Sequence, residues 1–507
     1  MSHLIIAPIL LPILTAILIM LPPIHYSPMR RRWVSMVSTV ILLILTGCLL
    51  WQTQTDGIAF YALGNWQPPY GIILVADIFS VSMVCLTSFL ALGAICYGSA
   101  GEDEKGSFFH PLFQFQLMGI NGAFLTGDLF NLFVFFEVLL IASYGLLVHA
   151  GGKNKTKAAV HYVVLNLAGS AVFLFSLGIL YGTLGTLNIA DMAVQVAKLP
   201  PENLMLVKSG GLLLLIVFAL KAALLPLQFW LPATYSAASP PVAALFAVMT
   251  KIGIYALLRV YTTIFGEQAG PLAGIASDWL WPLGLATIML GAIGVLASQD
   301  LRKLVANLVI ISVGTLVTLV AIENSAATSA VMYYTIHSTL VCGALFLLAD
   351  VIGAQRGKAG DRLVPGRRMA QPALLGTLFM VAAVTVAGLP PLSGFVGKLM
   401  ILQAAGTPSQ QLLLWTIVLI SSLMVLIGLS RAGSVLFWRV SGNEAGPERV
   451  LPLQAFALTW LLLAAPLMVV FAGPLTELSF AAAEQMRDIQ TSITIILGDA
   501  ASVGEQP

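Results

Sequence analysis

Residues 218–259 read FALKAALLPLQFWLPATYSAASPPVAALFAVMTKIGIYALLR and place two lysines, Lys221 and Lys251, inside long apolar runs. A lysine at the centre of a membrane helix costs about 2.5 to 3.5 kcal/mol. Prolines, Pro226 among them, lie between the two lysines, and a proline inside a helix removes a backbone hydrogen bond. Ion-coupled transporters combine buried charge with broken helices near mid-membrane. The stretch therefore predicts a proton path inside a membrane.

A second stretch, AGLPPLSGFVGKL at residues 387–399, repeats this combination with Pro390, Pro391 and Lys398. Backbone carbonyls freed at such a break can bind water or a cation where they line a cavity. The alternative is a simple kink with no role in transport. Because Lys398 follows the break directly, we expect a functional interruption here, matching the one expected at Pro226.

The composition indicates a polytopic membrane protein. Of the 507 residues, 59% are hydrophobic and 9% are charged, whereas soluble proteins have roughly 25% charged residues. The net charge of +2 gives no indication of nucleic-acid binding. The four cysteines lie in apolar runs without metal-ligand spacing, and no phosphate loop, HExxH or dinucleotide motif is present. We therefore predict neither a cofactor nor a metal site.

Fourteen apolar stretches have about the 20 residues that a membrane-spanning helix needs. They lie at 3–21, 33–51, 77–97, 109–127, 129–149, 158–182, 207–230, 239–266, 279–298, 303–322, 328–353, 371–404, 410–438 and 451–473. The twelfth is over-long, as expected of a broken helix. Residues 474–507 are expected to form a surface helix followed by a disordered tail. The predicted fold class is an all-α polytopic membrane protein.

The basic residues of the loops predict the orientation. Seventeen lysines and arginines lie in the loops after odd-numbered spans, whereas the loops after even-numbered spans hold only Lys198 and Lys208. Loops rich in Lys and Arg stay on the cytoplasmic side. We therefore expect the odd-numbered loops in the cytoplasm and both termini outside.

Glu137 lies near the middle of the fifth stretch, within GDLFNLFVFFEVLLIASYGLLV at residues 127–148. A buried carboxylate inside a bilayer must find a cation, water or a proton, and by default marks a functional site. The alternative is a structural ion pair that fixes helix packing. Lys221 is its natural partner, because burial disfavours a charged lysine whereas a nearby carboxylate favours it. A Lys–Glu pair whose separation changes can therefore be loaded with a proton and unloaded.

Further ionisable residues extend this path. Lys251 and Lys398 are candidate proton-transfer stations, with a purely structural role as the alternative. His337 lies mid-span in VMYYTIHSTLVCGALFLL, and an imidazole changes its charge close to neutral pH. A lone histidine on an apolar face is also a common packing residue, so both interpretations of His337 stay open.

Four segments resemble the D subunit of the multisubunit Mrp-type monovalent cation/proton antiporters. They are GDLFNLFVFFEVLLIASYGLLVHAGG (127–152), ALKAALLPLQFWLP (219–232), SQDLRKLVANLVI (298–310) and GLPPLSGFVGKL (388–399). The same resemblance extends to antiporter-like components of respiratory complex I and of membrane-bound hydrogenases. It covers about residues 70–440. One departure is Ser312-Val313-Gly314 in span ten, where many complex I relatives carry SHMG.

The resemblance implies about 14 transmembrane helices with two inverted five-helix repeats and broken helices at spans seven and twelve. It implies four parts: helices one to three (1–107), a first repeat of helices four to eight (108–266), a second repeat of helices nine to thirteen (267–440), and helix fourteen with a short external tail (441–507). It also implies a mid-membrane proton path, here named the buried axis, formed by Glu137, Lys221, Lys251, His337 and Lys398.

The resemblance further implies a secondary-transporter subunit in the bacterial inner membrane, not an enzyme. Its partners would be membrane subunits of the A, B, C, E, F and G types, and protons along the buried axis would drive the efflux of Na⁺, K⁺ or Li⁺. Two alternatives stay open. One is a proton-pumping membrane subunit of a complex I-like or hydrogenase redox complex. The other is a structural subunit whose buried charges only fix assembly.

Overall fold

The computed structural model describes residues 3–498, apart from the side chains of residues 442–444. The described chain is built mainly of α-helices. The first ten are α1 (Ala7–Met20), α2 (Pro28–Asp56), α3 (Ile78–Gly98), α4 (Phe109–Leu125), α5 (Leu129–Val148), α6 (Lys153–Leu184), α7 (Ile189–Ala197), α8 (Leu204–Ala222), α9 (Trp230–Ala237) and α10 (Pro240–Phe246).

The second half of the chain continues with ten more helices. They are α11 (Met249–Thr263), α12 (Ser277–Ala297), α13 (Leu301–Val320), α14 (Ser325–Arg356), α15 (Pro372–Ala387), α16 (Ser393–Gln403), α17 (Pro408–Gly433), α18 (Pro452–Val470), α19 (Ala472–Arg487) and α20 (Ile489–Leu497). Two small sheets lie in loops. Strands β1 (Ala59–Ala62) and β2 (Ile73–Ala76) pair antiparallel, and β3 (Gly366–Arg368) and β4 (Val440–Ala445) pair in parallel.

Within residues 3–498, eleven helices are long and apolar enough to cross a membrane, and α1 and α15 are shorter apolar helices. The prediction of an all-α polytopic membrane protein is confirmed at this level. The apolar windows of α3, α13, α14 and the α10–α11 segment are 83 to 100% buried, whereas those of α2 and α17 are 33% buried. The first group therefore forms the interior, and the second offers its apolar side chains to lipid.

Polar caps set where several helices begin. The Asp77 carboxylate accepts a hydrogen bond from the backbone N–H of Ser80 at 2.7 Å at the start of α3. Asp128 does the same for Asn131 at 2.8 Å at the start of α5, and Asn324 caps α14 through Ala327. Such side chains satisfy N–H groups that have no partner within the helix. These caps fix where the buried helices begin.

The loops that follow odd-numbered predicted spans contact one another. Arg32 at the start of α2 forms ion pairs with Asp103 and Glu104, which follow α3. In the second half of the chain, the backbone N–H of Leu363 donates to the carbonyl of Gln299 at 2.7 Å, and β3 pairs with β4. These loops therefore form two clusters, one in each half of the chain.

The loops after even-numbered spans form contacts of their own. The N–H of Gly127, between α4 and α5, donates to the carbonyl of Ile73 in β2 at 3.0 Å. The N–H of Ile189, at the start of α7, donates to the carbonyl of Gly127 at 3.0 Å. The side-chain amide of Asn324 donates to the carbonyl of Ala404 at 2.9 Å. The loops after odd-numbered spans and the loops after even-numbered spans thus lie at opposite ends of the helices.

A buried charge cluster joins α2 to the loop after α3. Asp103 accepts hydrogen bonds from Arg32 at 2.8 Å through both of its oxygens, and it lies 3.1 Å from His110 Nε2. Burial by itself raises the pKa of Asp103, but the hydrogen bonds with His110 and Arg32 outweigh it and bring the pKa to about 2. Asp103 therefore stays ionised near neutral pH, and its ion pair with Arg32 links α2 to the loop after α3.

The predicted surface helix of the C-terminal segment corresponds to α19, whereas the helix α20 occupies part of the predicted disordered tail. Helix α19 packs on α14 and α3, and the side-chain carbonyl of its Gln485 accepts a hydrogen bond from the N–H of Ile78 at 2.8 Å. Helix α20 buries Ile489, Ile493 and Ile496 against α7 and the β1–β2 hairpin. The spacing of these isoleucines gives α20 one apolar face, which explains why it packs. Residues 499–507 of the predicted tail lie outside the described residues.

Candidate functional site

Glu137 lies on α5 and faces α6. The hydroxyl of Ser170, on α6, donates a hydrogen bond to Glu137 Oε1. Glu137 is half-buried, and Ser170 is buried. Within the described residues Glu137 takes part in none of the ion pairs. A hydroxyl, not a fixed cation, is therefore the direct partner of this carboxylate.

Lys221 lies in the last turn of α8 and is 5% exposed. Its Nζ donates to Asn166 Oδ1, on α6, at 3.1 Å, and it lies 5.8 Å from the centre of the Phe136 ring. The chain leaves helical geometry after Ala222 and resumes a helix at Trp230, with Pro226 between them. Since proline cannot supply the backbone donor that a helix needs, the interruption follows from the sequence. Lys221 thus lies where α8 ends inside the protein.

Lys251 lies in the first turn of α11 and is 2% exposed. Its Nζ donates to Ser312 Oγ, on α13, at 2.5 Å. Gly253 lets the two lysine-bearing helices approach closely, because a Cβ there would lie 2.6 Å from the backbone nitrogen of Ala222. Lys251 is therefore carried by a helix that packs directly against the end of α8, beside Lys221.

His337 and Lys398 lie at the second interruption. The His337 ring, on α14, contacts Ser393 Oγ at 2.9 Å through Nδ1. The Nζ of Lys398, on α16, donates to the Ala387 carbonyl at 2.6 Å and to Ser422 Oγ at 2.7 Å. The Ala387 carbonyl is free to accept because α15 ends there, at Gly388 in the left-handed region. The break thus supplies a backbone acceptor for the ammonium group of Lys398, which is half-buried.

A cavity of about 30 Å³ adjoins Lys398 and has Thr315, Tyr334, Ser421 and Ser422 among its lining residues. One water molecule needs roughly 10 to 15 Å³ of cavity volume and two to four polar partners. The cavity is therefore large and polar enough for about two water molecules. It lies between α14, α17 and α13, the helix that also carries Ser312.

The residues of the buried axis lie on helices that contact one another in turn: α5 packs on α6, α6 on α8, α8 on α11, α11 on α13, α13 on α14, and α14 on α16.

The structure does not bring Glu137 and Lys221 into an ion pair within the described residues, since α6 supplies a partner to each. Sequence reasoning missed five of the contacting side chains: Asn166, Ser170, Ser312 as a lysine partner, Ser393 and Ser422. The available signal was a polar residue within an apolar span.

Comparison with known proteins places this arrangement in a family. Residues 126–426 match the family described as NADH:quinone oxidoreductase/Mrp antiporter, TM. The chain is 38% identical over 523 residues to a probable K⁺/H⁺ antiporter D subunit from Rhizobium meliloti, with 96% of each chain covered. It is 39% identical over 441 residues to the Na⁺/H⁺ antiporter D subunit from Bacillus subtilis, with 86% of this chain and 87% of that one covered.

This chain belongs to the family of antiporter D subunits. A solved structure agrees: a chain of the Mrp complex from a Dietzia species superposes with a TM-score of 0.87 at 26% identity, over 98% of this chain and 100% of that one. The resemblance drawn from the four sequence segments is therefore confirmed. D subunits are components of transporters, so the expectation of a transporter subunit instead of an enzyme is confirmed as well.

Proposed function

We propose that this chain is the proton-translocating subunit of a multisubunit monovalent cation/proton antiporter. Protons move along the buried axis, from Glu137 and Lys221 through Lys251 and His337 to Lys398, and their movement drives the efflux of Na⁺, K⁺ or Li⁺. The D-type relatives, named as K⁺/H⁺ and Na⁺/H⁺ antiporter subunits, support this class of transport.

The observation that carries the proposal is the polar lining of the buried axis. Lys221, Lys251 and Lys398 occur in none of the ion pairs of the described residues, and each is held by a neutral oxygen. A lysine kept inside a membrane protein without a carboxylate costs stability and is retained for function. Neutral partners leave each lysine free to lose and regain a proton, whereas a fixed ion pair would hold it charged.

The proposal includes fourteen spans in two inverted five-helix repeats, with the four parts at residues 1–107, 108–266, 267–440 and 441–507. Each of the fourteen predicted stretches overlaps a helix or a pair of helices. Both proposed repeats begin with a close helix pair: Gly119 lets α4 approach α5, and Gly314 lets α12 approach α13. Each also contains one helix interrupted beside a lysine, at Pro226 and at Pro390-Pro391.

We place the chain in a bacterial inner membrane with both termini on the external side. The loops after odd-numbered spans hold most of the basic residues and contact one another, as do the loops after even-numbered spans. The positive-inside tendency then assigns the basic loops to the cytoplasm. The proposed partners are membrane subunits of the A, B, C, E, F and G types, because the Dietzia relative is a chain of an Mrp complex.

The test is cation-dependent proton movement in membrane vesicles that contain the complete complex. Addition of Na⁺, K⁺ or Li⁺ in turn is expected to dissipate an imposed pH gradient for at least one cation. Vesicles from cells that lack this chain are the control and are expected to show no such response. An equal response without the chain would refute the proposal.

The second candidate is a proton-pumping subunit of a complex I-like redox complex, favoured by the family description, which names NADH:quinone oxidoreductase together with the Mrp antiporter. The two relatives at 38 and 39% identity are both antiporter subunits, which favours the first candidate. Proton movement that requires electron transfer to a quinone, and does not respond to added cations, would identify the second.

A further inference from the structure

Helix α6 supplies a hydrogen-bond partner to each member of the predicted Lys–Glu pair. Its Asn166 and Ser170 are four residues apart, so their side chains share one face. Asn166 Oδ1 accepts from Lys221 Nζ at 3.1 Å, while Ser170 donates to Glu137 Oε1. One helical face therefore offers an acceptor to the cation and a donor to the anion.

Asn166 is fixed in the orientation that presents its oxygen to Lys221. Its Nδ2 donates to the carbonyl of Tyr162, one turn earlier on α6, at 2.9 Å. The Tyr162 hydroxyl lies 3.0 Å from Ser143 Oγ on α5, which ties α6 to the helix that carries Glu137. Asn166 is 1% exposed, and the protein thus holds this amide without help from solvent.

Gly169, which lies between the two polar residues in sequence, faces the Leu220 side chain of α8. A Cβ at Gly169 would lie 2.5 Å from Leu220 Cδ2, so a larger residue there would require the Leu220 side chain to move. Leu220 precedes Lys221, and the contact therefore sets the position of the lysine against Asn166. On the other side, Phe136, Phe173 and Phe218 pack their rings together beside the lysine.

We propose that Asn166 and Ser170 are positioning residues that hold Lys221 and Glu137 apart, so that the pair closes only when both contacts with α6 are released. This inference rests on the proposed function and adds a specific device to it. The separated arrangement is the resting state, in which each group exchanges its proton independently. The closed pair, which stabilises both charges, forms transiently during turnover.

Loss of either contact shifts this balance toward the closed pair. A hydrogen bond to a charged group changes an equilibrium by about tenfold to a hundredfold. Ser170→Ala is therefore expected to slow antiport by about tenfold or more, because each turnover must reopen a pair that has lost its alternative partner. Asn166→Leu, which removes the oxygen facing Lys221, is expected to slow antiport to a similar degree.

The experiment compares Ser170→Ala with Ser170→Thr, which keeps the hydroxyl, and with Ser176→Ala as a matched control. Ser176 is buried on the same helix, and its hydroxyl donates to the Gly210 carbonyl at 2.8 Å, away from the buried axis. Two quantities are measured on the complete complex: the antiport rate per assembled complex, and the infrared band of the Glu137 carboxyl group, assigned by difference from Glu137→Gln.

We expect Ser170→Ala to shift the Glu137 band and slow antiport, Ser170→Thr to restore both, and Ser176→Ala to change neither. An unchanged Glu137 band in Ser170→Ala overturns the inference, and so does a threonine variant that is as slow as the alanine variant. The proposed function fails by a different result, namely wild-type antiport in Glu137→Gln, so the two failures are distinguishable.

Discussion

Replacing Lys221 by methionine is expected to stop antiport while leaving the chain folded and inserted. Methionine is unbranched and flexible, so it can follow the path of the lysine stem between α6 and α8. It cannot carry a proton. The variant therefore removes proton transfer at the end of α8 and keeps most of the packing there.

Three opposing terms determine the effect of this substitution on stability. Loss of the charge relieves about 2.5 to 3.5 kcal/mol of insertion cost. Asn166 Oδ1 then loses its donor, which costs about 1 to 3 kcal/mol. The contact with the Phe136 ring, 5.8 Å from Nζ, contributes about 0.5 to 2 kcal/mol and is also lost. These terms offset to within a few kcal/mol, so the variant is expected to assemble.

The antiport rate is expected to fall by roughly 100-fold or more, which is the usual contribution of a group that takes up and releases protons. The assay is cation-induced pH change in vesicles, normalised to the amount of assembled complex. Lys221→Arg is the matched variant, because arginine keeps the charge but does not release its proton in the usable range. Normal antiport in the arginine variant would refute the reasoning and make Lys221 a fixed positive charge.

Three further predictions concern Lys398, the isolated chain and Asp103. Lys398→Ala is expected to stop turnover, because protons that reach the second helix break lose their last station; transport at the normal rate would make Lys398 a packing residue. The purified chain alone in liposomes is expected not to exchange ions normally, since its partners are absent, and robust Na⁺/H⁺ exchange by the single chain would contradict this. Asp103→Asn is expected to lower the unfolding temperature without moving the pH profile of antiport. The pKa of Asp103 lies below its ordinary value of 3.8, so its stabilising contribution is complete above that pH and is lost only as the pH falls through about 2. A shifted antiport profile would contradict this assignment.

The sequence identifies buried charges well, because a lysine or glutamate in an apolar run is visible without a structure. Lys221, Lys251 and Glu137 stand out for this reason, and so does the proline pair before Lys398. Their partners do not stand out. Serine and asparagine are common in helices, where they often bond to the backbone of the same helix. Only the packing of neighbouring helices determines which of them faces an ionisable group.

The predicted direct pairing of Glu137 with Lys221 depends on the position of α6, which the sequence does not reveal. Gly169 permits the close approach of α6 and α8, but its partner, Leu220, lies about fifty residues further along the chain. The C-terminal segment is a second example. The spacing of Ile489, Ile493 and Ile496 indicates an amphipathic helix, whereas the surface that covers those side chains comes from α7 and the β1–β2 hairpin.

The proposed function requires that protons cross the membrane through this chain. The most direct measurement is the pH change that Na⁺, K⁺ or Li⁺ induces in vesicles carrying the complete complex with Glu137→Gln, at an amount of assembled complex equal to wild type. An amide cannot ionise, so the variant is predicted to assemble and to show no cation-induced pH change. Exchange at the wild-type rate would contradict a proton path that requires Glu137 to ionise.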